Sequence, residues 1–476
     1  MVSTRSRRSG VPAEDNRMVV IVTGANRYLP SPALYSRLLA DRPVSSGFGL
    51  GICNQVIRAL SLHPGHSIPV STPQSSATPS TLRHLIPSAA SPAASKSAAA
   101  AASTKHVPTT PPPTLTLILA CRSRTNGENA REILLETHDR ELKERAQNGI
   151  PVREGWREGL RVVIETVDLD SVGGDNGILA FTERIKDSLS PSWISAHEAK
   201  RYPHITSLFL NAGLAAFKGN DYWKVAKQVF TAGPAIAFSH PEFNIEIPGV
   251  LTADGERGKV WGVNVLAGYI LVKELAPMLQ RSPPTLPFPP RVIYTSSATA
   301  KYDAVKAELV HDYQLVQHEA TYKLSKYLGD LVMCQLDREL GGGERSVRCL
   351  TADPGAVATS IFDRGFGPWL WFQRIMKFFY WLAFALTRLI GSPYHPIDAT
   401  DGATSMVYAA LIDEAFLLPS TKVPAPKFVS HSHPLRPCTV DYREVDRWED
   451  AEEIGRNQAK TCESIRLEWR RREGLE

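Results

Sequence analysis

Two halves of one glycine-rich turn stand nineteen residues apart, and this break constrains the chain more than any other feature. A short apolar run, Val19-Val20-Ile21-Val22, ends in Thr23-Gly24-Ala25-Asn26. Ser46-Gly47-Phe48-Gly49-Leu50-Gly51-Ile52 then opens an apolar-periodic helix. Joined, the pieces read strand, tight turn and helix start, with Gly24, Gly47 and Gly49 in the spacing TGxxxGxG. Glycines there let the backbone approach a pyrophosphate whose charge is held by helix N-terminal amides. The turn therefore points to a dinucleotide site formed by Thr23, Gly24, Asn26, Gly47, Phe48 and Gly49. The insert, Arg27 to Ser45, carries Pro30, Pro32 and Pro43 and separates glycines that must lie on one pyrophosphate. It reads as a translated, retained intron. The alternative is a loop bulging over the surface, because loop-closure entropy grows only slowly with length.

Short apolar strands alternate with helices along the rest of the chain. Strands are expected at Met18 to Val22, Leu115 to Ala120, Arg161 to Val167, Ile205 to Leu210, Arg291 to Thr295 and Ser346 to Thr351. Helices are expected at Leu50 to Leu60, Asn129 to Asn148, Val172 to Leu189, Val260 to Leu279 and about Thr321 to Leu340. This alternation argues for an α/β fold, a doubly wound parallel sheet of the Rossmann type. We read a disordered tail at 1–17 and a single domain over 18–360, with insertions at 27–45 and 63–113. A C-terminal extension covers 361–476. The second insertion is rich in Ser, Ala and Pro and buries too little to order itself. Six scattered cysteines without a CxxC pair read as reduced thiols, with no disulfide framework and no metal site. A net charge of +5, with basic clusters confined to the termini, does not indicate a nucleic-acid binder.

The candidate chemistry lies at Tyr322-Lys323-Leu324-Ser325-Lys326. Positions i and i+4 share a helix face. A phenol beside an ammonium is expected to have its pKa lowered, which suits a group that donates and recovers a proton. A lone YxxxK is common by chance; here six further motifs accompany it. They run in order: TGAN…SGFG, Asp168, Asn211-Ala212-Gly213, Asn264, Thr295-Ser296-Ser297, Tyr322 with Lys326, and Asp353-Pro354-Gly355 through Thr359. In this order the chain resembles the short-chain dehydrogenase/reductase family. The resemblance implies that Ser297 polarises a substrate carbonyl, with Ser296 as runner-up, and that Tyr322 protonates the oxygen. It implies that Lys326 lowers the Tyr322 pKa and binds the nicotinamide ribose. Asn264 would hold a helix distortion and a water. Asp168 would lie near the adenine, and Asn211, Ala212, Gly213, Pro354, Gly355 and Thr359 would border the cofactor.

The second expected strand ends Ala120-Cys121-Arg122-Ser123-Arg124, not in an acidic residue that would bind a ribose hydroxyl. Arg122 can pair with a 2′-phosphate, so NADPH/NADP is the expected cofactor. The stretches around Asn264, before Tyr322 and at Leu389 to Ile397 are similar to fungal sterol 3-keto reductases. That similarity implies reduction of a 3-keto sterol in sterol biosynthesis at the endoplasmic reticulum or a lipid droplet, with other sterol-pathway enzymes as candidate partners. Pro368 to Ile390 is dense in Trp and Phe, with Arg374, Lys377 and Arg388 near one helix face. Its longest uncharged run is too short to span a bilayer. It reads as a membrane-interface helix or a lid over the substrate. Two alternatives remain open at this level: a reductase of another lipid-like ketone, and a catalytically impaired scaffold at the membrane.

Overall fold

The computed structural model describes residues 17–25, 47–62, 114–187, 202–286, 288–302, 312–343, 345–357, 370–412, 414, 417, 420 and 426–476, with side chains undescribed at 370–377 and 380. The retained-intron reading at 27–45, the tract at 63–113, Asn26 and Thr359 fall outside those residues.

β1 (Arg17–Thr23), β2 (Thr114–Cys121), β3 (Leu160–Thr166), β4 (Ser207–Leu210), β7 (Arg291–Thr295), β8 (Arg348–Asp353), β9 (Lys427–His431) and β10 (Thr439–Arg443) form one sheet in the order β10-β9-β8-β7-β4-β1-β2-β3. Every pairing is parallel except β9 with β10. Strands β1 and β2 are apolar at almost every position because helices cover both faces. Along β1, Val19 and Ile21 enter one core while Met18, Val20 and Val22 enter the other. The first core is closed by α3 (Ile178–Asp187), α6 (Lys259–Gln280), α7 (Thr321–Leu340) and α10 (Glu452–Arg472). The second is closed by α1 (Phe48–Ser61), α2 (Arg124–Gln147) and α9 (Thr404–Leu411).

The strand order reverses direction at β1. Its neighbours are β2 on one side and β4 on the other, so a crevice opens at their carboxyl ends. The residues after 360 return to this sheet as β9, β10 and α9. The expected connection between β4 and α6 is itself folded. It holds β5 (Phe217–Asn220) and β6 (Asn244–Glu246), paired antiparallel, with α4 (Tyr222–Ala232) and α5 (Pro234–Ser239) between them. Helix α6 is long and apolar enough to cross a membrane by composition, with mean hydropathy 1.3, but it is core: 83% of that window is buried. Expected α3 begins later than Val172, because Val172 to Gly177 forms turns around Gly174 at φ +77°.

Candidate active site

The two halves of the glycine turn meet. A Cβ built on Gly49 would lie 2.6 Å from the Gly24 carbonyl oxygen and 2.8 Å from Asn211 Nδ2. Gly24 has φ +66°, a conformation only glycine adopts at low cost. Helix α1 starts after Gly47 with no side-chain cap and no acidic residue in its first turn. Its N-terminal amides therefore face the crevice with positive partial charge and without an internal anion.

Thr23 ties this turn to β4. Its hydroxyl donates to Phe209 O (3.2 Å) and accepts from Asn211 N (2.9 Å) and Ala212 N (3.0 Å). Asn211 Nδ2 in turn donates to Thr23 O at 2.9 Å. Thr23 and Gly49 lie behind the cleft wall and shape it. The cleft, about 520 Å³, is lined by Gly24, Gly47, Phe48, Arg122, Asp168, Asn211, Ala212, Gly213, Ser297, Tyr322, Lys326, Pro354 and Gly355, among others. Of the expected site residues, the structure thus gathers these into one space, and leaves Arg122 exposed at the β2 end.

Asn264 sits in a π-helical turn, Gly262–Leu266, inside α6. It is buried behind the cleft. Its Oδ1 accepts from Leu214 N (2.8 Å), while Nδ2 donates to Leu214 O (2.9 Å) and Ser325 Oγ (2.9 Å). The distortion lets one amide bind the chain leaving β4 and the helix that carries Tyr322 and Lys326. Lys326 Nζ donates to Thr295 O at 2.8 Å and lies 5.8 Å from the Tyr322 ring centroid.

One expectation changes here. Tyr322 is not lowered: burial, then the nearby Asp353 carboxylate, push its phenol up to about 12, against a smaller pull from a Ser297 hydrogen bond. The ammonium at 5.8 Å does not offset the loss of solvent around the phenolate. Lys326 moves instead, brought down to about 8 by burial, against support from Asp330. Of the two serines, Ser296 is committed elsewhere, its hydroxyl donating to Asp330 Oδ2 at 2.7 Å. Ser297 keeps its hydroxyl in the cleft wall, within a local pair to Thr299 Oγ1 at 2.9 Å.

Glu246 was not foreseen. It comes from β6 and accepts from the Thr321 hydroxyl and from Tyr322 N (2.8 Å). Ala320, the residue before α7, has no side chain to cap it, so Glu246 supplies the missing acceptor from another segment. No local sequence signal marks it, because the contact spans 76 positions. Asp330 was also missed, although its i+4 spacing from Lys326 places it on the same helix face.

In the aromatic segment, α8 (Leu370–Leu389) exposes Phe378, Phe379, Trp381, Leu386 and Leu389, followed by Ile390. Phe384 is buried, its ring 5.9 Å from Phe238 of the cleft lining. The expected cationic stripe is not seen at Arg388, whose guanidinium donates to Pro396 O (2.7 Å), His433 O (2.8 Å) and Asp401 (2.9 Å). Arg374 and Lys377 lie outside the described side chains.

The strand order is the doubly wound parallel sheet expected from the sequence, and the motifs that resemble the short-chain dehydrogenase/reductase family follow one another along it. In sequence the chain resembles fungal 3-keto-steroid reductases. The 3-keto-steroid reductase of Kluyveromyces lactis is 30% identical over 257 residues, 53% of this chain and 66% of that one. The 3-keto-steroid reductase ERG27 of Saccharomyces cerevisiae is 28% identical over 209 residues, 44% and 55% of the two chains. These matches span less than two thirds of either relative. A scan against protein-family profiles matches none. Among solved structures, salutaridine reductase from Papaver somniferum aligns with TM-score 0.42 and 15% identity, covering 84% of this chain and 97% of that one. The fold assignment rests on the strand order itself.

Proposed function

We propose that the chain is an NADPH-dependent reductase that converts a 3-keto sterol to the 3-hydroxy sterol. The observation that carries the reading is a single cleft. It runs from the glycine turn and Arg122 to Ser297, Tyr322 and Lys326. The residues fit a dinucleotide. The uncapped start of α1 and the close approach of Gly24 and Gly49 leave a cradle that side chains would fill. Arg122 and Asp168 both border the cleft, where Arg122 would meet a 2′-phosphate and Asp168 the adenosine end.

When bound, the cofactor supplies the hydride that forms the new carbon–hydrogen bond. Ser297 donates a hydrogen bond to the ketone oxygen and polarises it. Tyr322, fully protonated at neutral pH with its pKa near 12, gives that oxygen a proton. The phenolate left behind is stabilised by the Lys326 ammonium, of which roughly nine tenths is charged at pH 7 for a pKa of about 8. Asn264 and Ser325 tie α7 to α6 and to the segment that follows β4 while the charge moves. The products are the alcohol and the oxidised cofactor.

The exposed aromatic face of α8 supports contact with a membrane interface, and Phe384 connects that helix to the cleft. A sterol would then enter from the lipid side of the endoplasmic reticulum or a lipid droplet. Product analysis with NADPH and a panel of 3-keto sterols and acyclic lipid ketones tests the reading. Turnover of sterols at carbon 3 is expected; turnover of the acyclic ketones alone refutes the sterol assignment.

A further inference from the structure

Three consecutive residues at the end of β7 are each held from behind. Thr295 O accepts from Lys326 Nζ at 2.8 Å. Ser296 Oγ donates to Asp330 Oδ2 at 2.7 Å. Ser297 O accepts from Lys427 Nζ at 3.3 Å. Lys427 also pairs with Asp330 Oδ2 at 2.8 Å. Asp330 is fully buried, and Lys427 and Lys326 are 5% and 3% exposed. Lys427 arrives from β9, in the chain that returns to the sheet after the aromatic helix. Nothing in the assigned chemistry uses Asp330 or Lys427.

We propose that Asp330 and Lys427 are positioning residues for the reaction centre, in which one buried carboxylate is shared by the Lys427 ammonium and the Ser296 hydroxyl and fixes the segment that carries Ser297. The proposal rests on the reductase reading for its functional consequence, though not for its geometry. Tyr322, Lys326 and Asp330 stand at i, i+4 and i+8 on α7, so they line one face of the helix against the end of β7. The carboxylate reaches the serine hydroxyl and the β9 lysine with the same oxygen. Its other oxygen, Oδ1, is buried with no hydrogen-bond partner among the described residues.

A buried ion pair adds little net stability over an apolar pair of similar volume. What this one supplies is position and charge. The groups facing Lys326 are Tyr322 and Asp330 on its own helix, Tyr294 on β7, and Lys427 on β9; Asp353 of β8 acts on Tyr322. Asp330 favours the Lys326 ammonium, and Lys427 opposes it. Removing either charge should therefore move Lys326 in opposite directions. A part that only fills space would move it in neither.

The test uses full-length protein with carbon-13 label at the lysine ε-carbon, titrated by NMR, the Lys326 signal being assigned with Lys326→Arg. Asp330→Asn keeps an acceptor for Ser296 and should lower the Lys326 pKa. Lys427→Met keeps the aliphatic stem and should raise it. Each shift is read as a displacement of the Lys326 titration midpoint in the stated direction, because both charges are buried beside it and poorly screened. The alkaline limb of ketone reduction should follow, earlier in Asp330→Asn and later in Lys427→Met. If Asp330→Asn does not fold, Lys427→Met decides alone. An unmoved Lys326 in folded Lys427→Met overturns the proposal, as do shifts of both variants in one direction. Opposite NMR shifts in a protein whose wild type reduces no ketone refute the reductase reading and leave the shared-carboxylate geometry supported.

Discussion

Replacing Gly49 by alanine tests whether the divided turn works as one phosphate cradle. The added Cβ would lie 2.6 Å from the Gly24 carbonyl oxygen and 2.9 Å from Ala25 Cα. Ordinary contact begins near 3.4 Å, so Gly24 must retreat by roughly 3.4 − 2.6 = 0.8 Å, and the obstacle is backbone. Overpacking of this kind costs about 1–3 kcal/mol, too little to unfold a domain with about 5–15 kcal/mol in hand. Relief comes from parting the β1 end from the start of α1, which widens the space meant for the pyrophosphate. If that strain is released in the free protein and returns on binding, NADPH affinity falls roughly 10- to 100-fold. The assay is NADPH fluorescence titration, with circular dichroism as a fold check. Gly219→Ala is the control, because a Cβ there meets nothing within 4 Å. Unchanged NADPH affinity in folded Gly49→Ala would falsify the cradle argument. The same titration on a chain lacking Arg27 to Ser45 should show binding at least as tight as the uncut chain. Loss of binding on that deletion would show that the insert is a working part and not retained intron sequence.

Three further outcomes are expected. Tyr322→Phe should lower turnover ~100- to 10,000-fold while leaving NADPH affinity nearly unchanged, and stopped-flow reduction with parallel binding titrations would separate the two effects. Arg122→Asp should weaken NADPH by about 10- to 100-fold with little effect on NADH; equal losses for both cofactors would place the 2′-phosphate elsewhere. Asp at both Phe378 and Phe379, which are 58% and 56% exposed, should move folded protein from lipid vesicles into solution. Phe384 is unsuitable for that experiment because it is buried against Phe238 and His395, and a charge there would disrupt packing.

The legible parts of this molecule are those where local chemistry and tertiary role coincide. The strand of Arg291–Thr295 and the helix of Thr321–Leu340 match their sequence bounds, since each is a clean apolar or periodic run with a sharp end. The folded connection after β4 was not legible. Its strands are three and four residues long, and its helices expose Trp223 and Phe230, so no buried stripe announces them. β9 was missed for a similar reason: Lys427-Phe428-Val429-Ser430-His431 has no clear alternation, and its first residue is a lysine buried against Asp330 and Ser297 O. The direction of the Tyr322 shift failed on a matter of magnitude. An i+4 lysine can be read from spacing, but the burial that outweighs it cannot. Glu246 and Lys427 show the same limit, each reaching the site from a distant segment.

The central claim is hydride delivery to a sterol ketone in a cleft organised by Tyr322, and isotope transfer tests it most directly. Purified protein would be given NADPH carrying deuterium at the transferable position of the nicotinamide, together with a 3-keto sterol, and the product analysed by mass spectrometry and NMR. The account predicts one deuterium at carbon 3 of a single 3-hydroxy epimer from the wild-type protein, and almost none from Tyr322→Phe over the same interval. Deuterium at another carbon, or undiminished product from Tyr322→Phe, would contradict it.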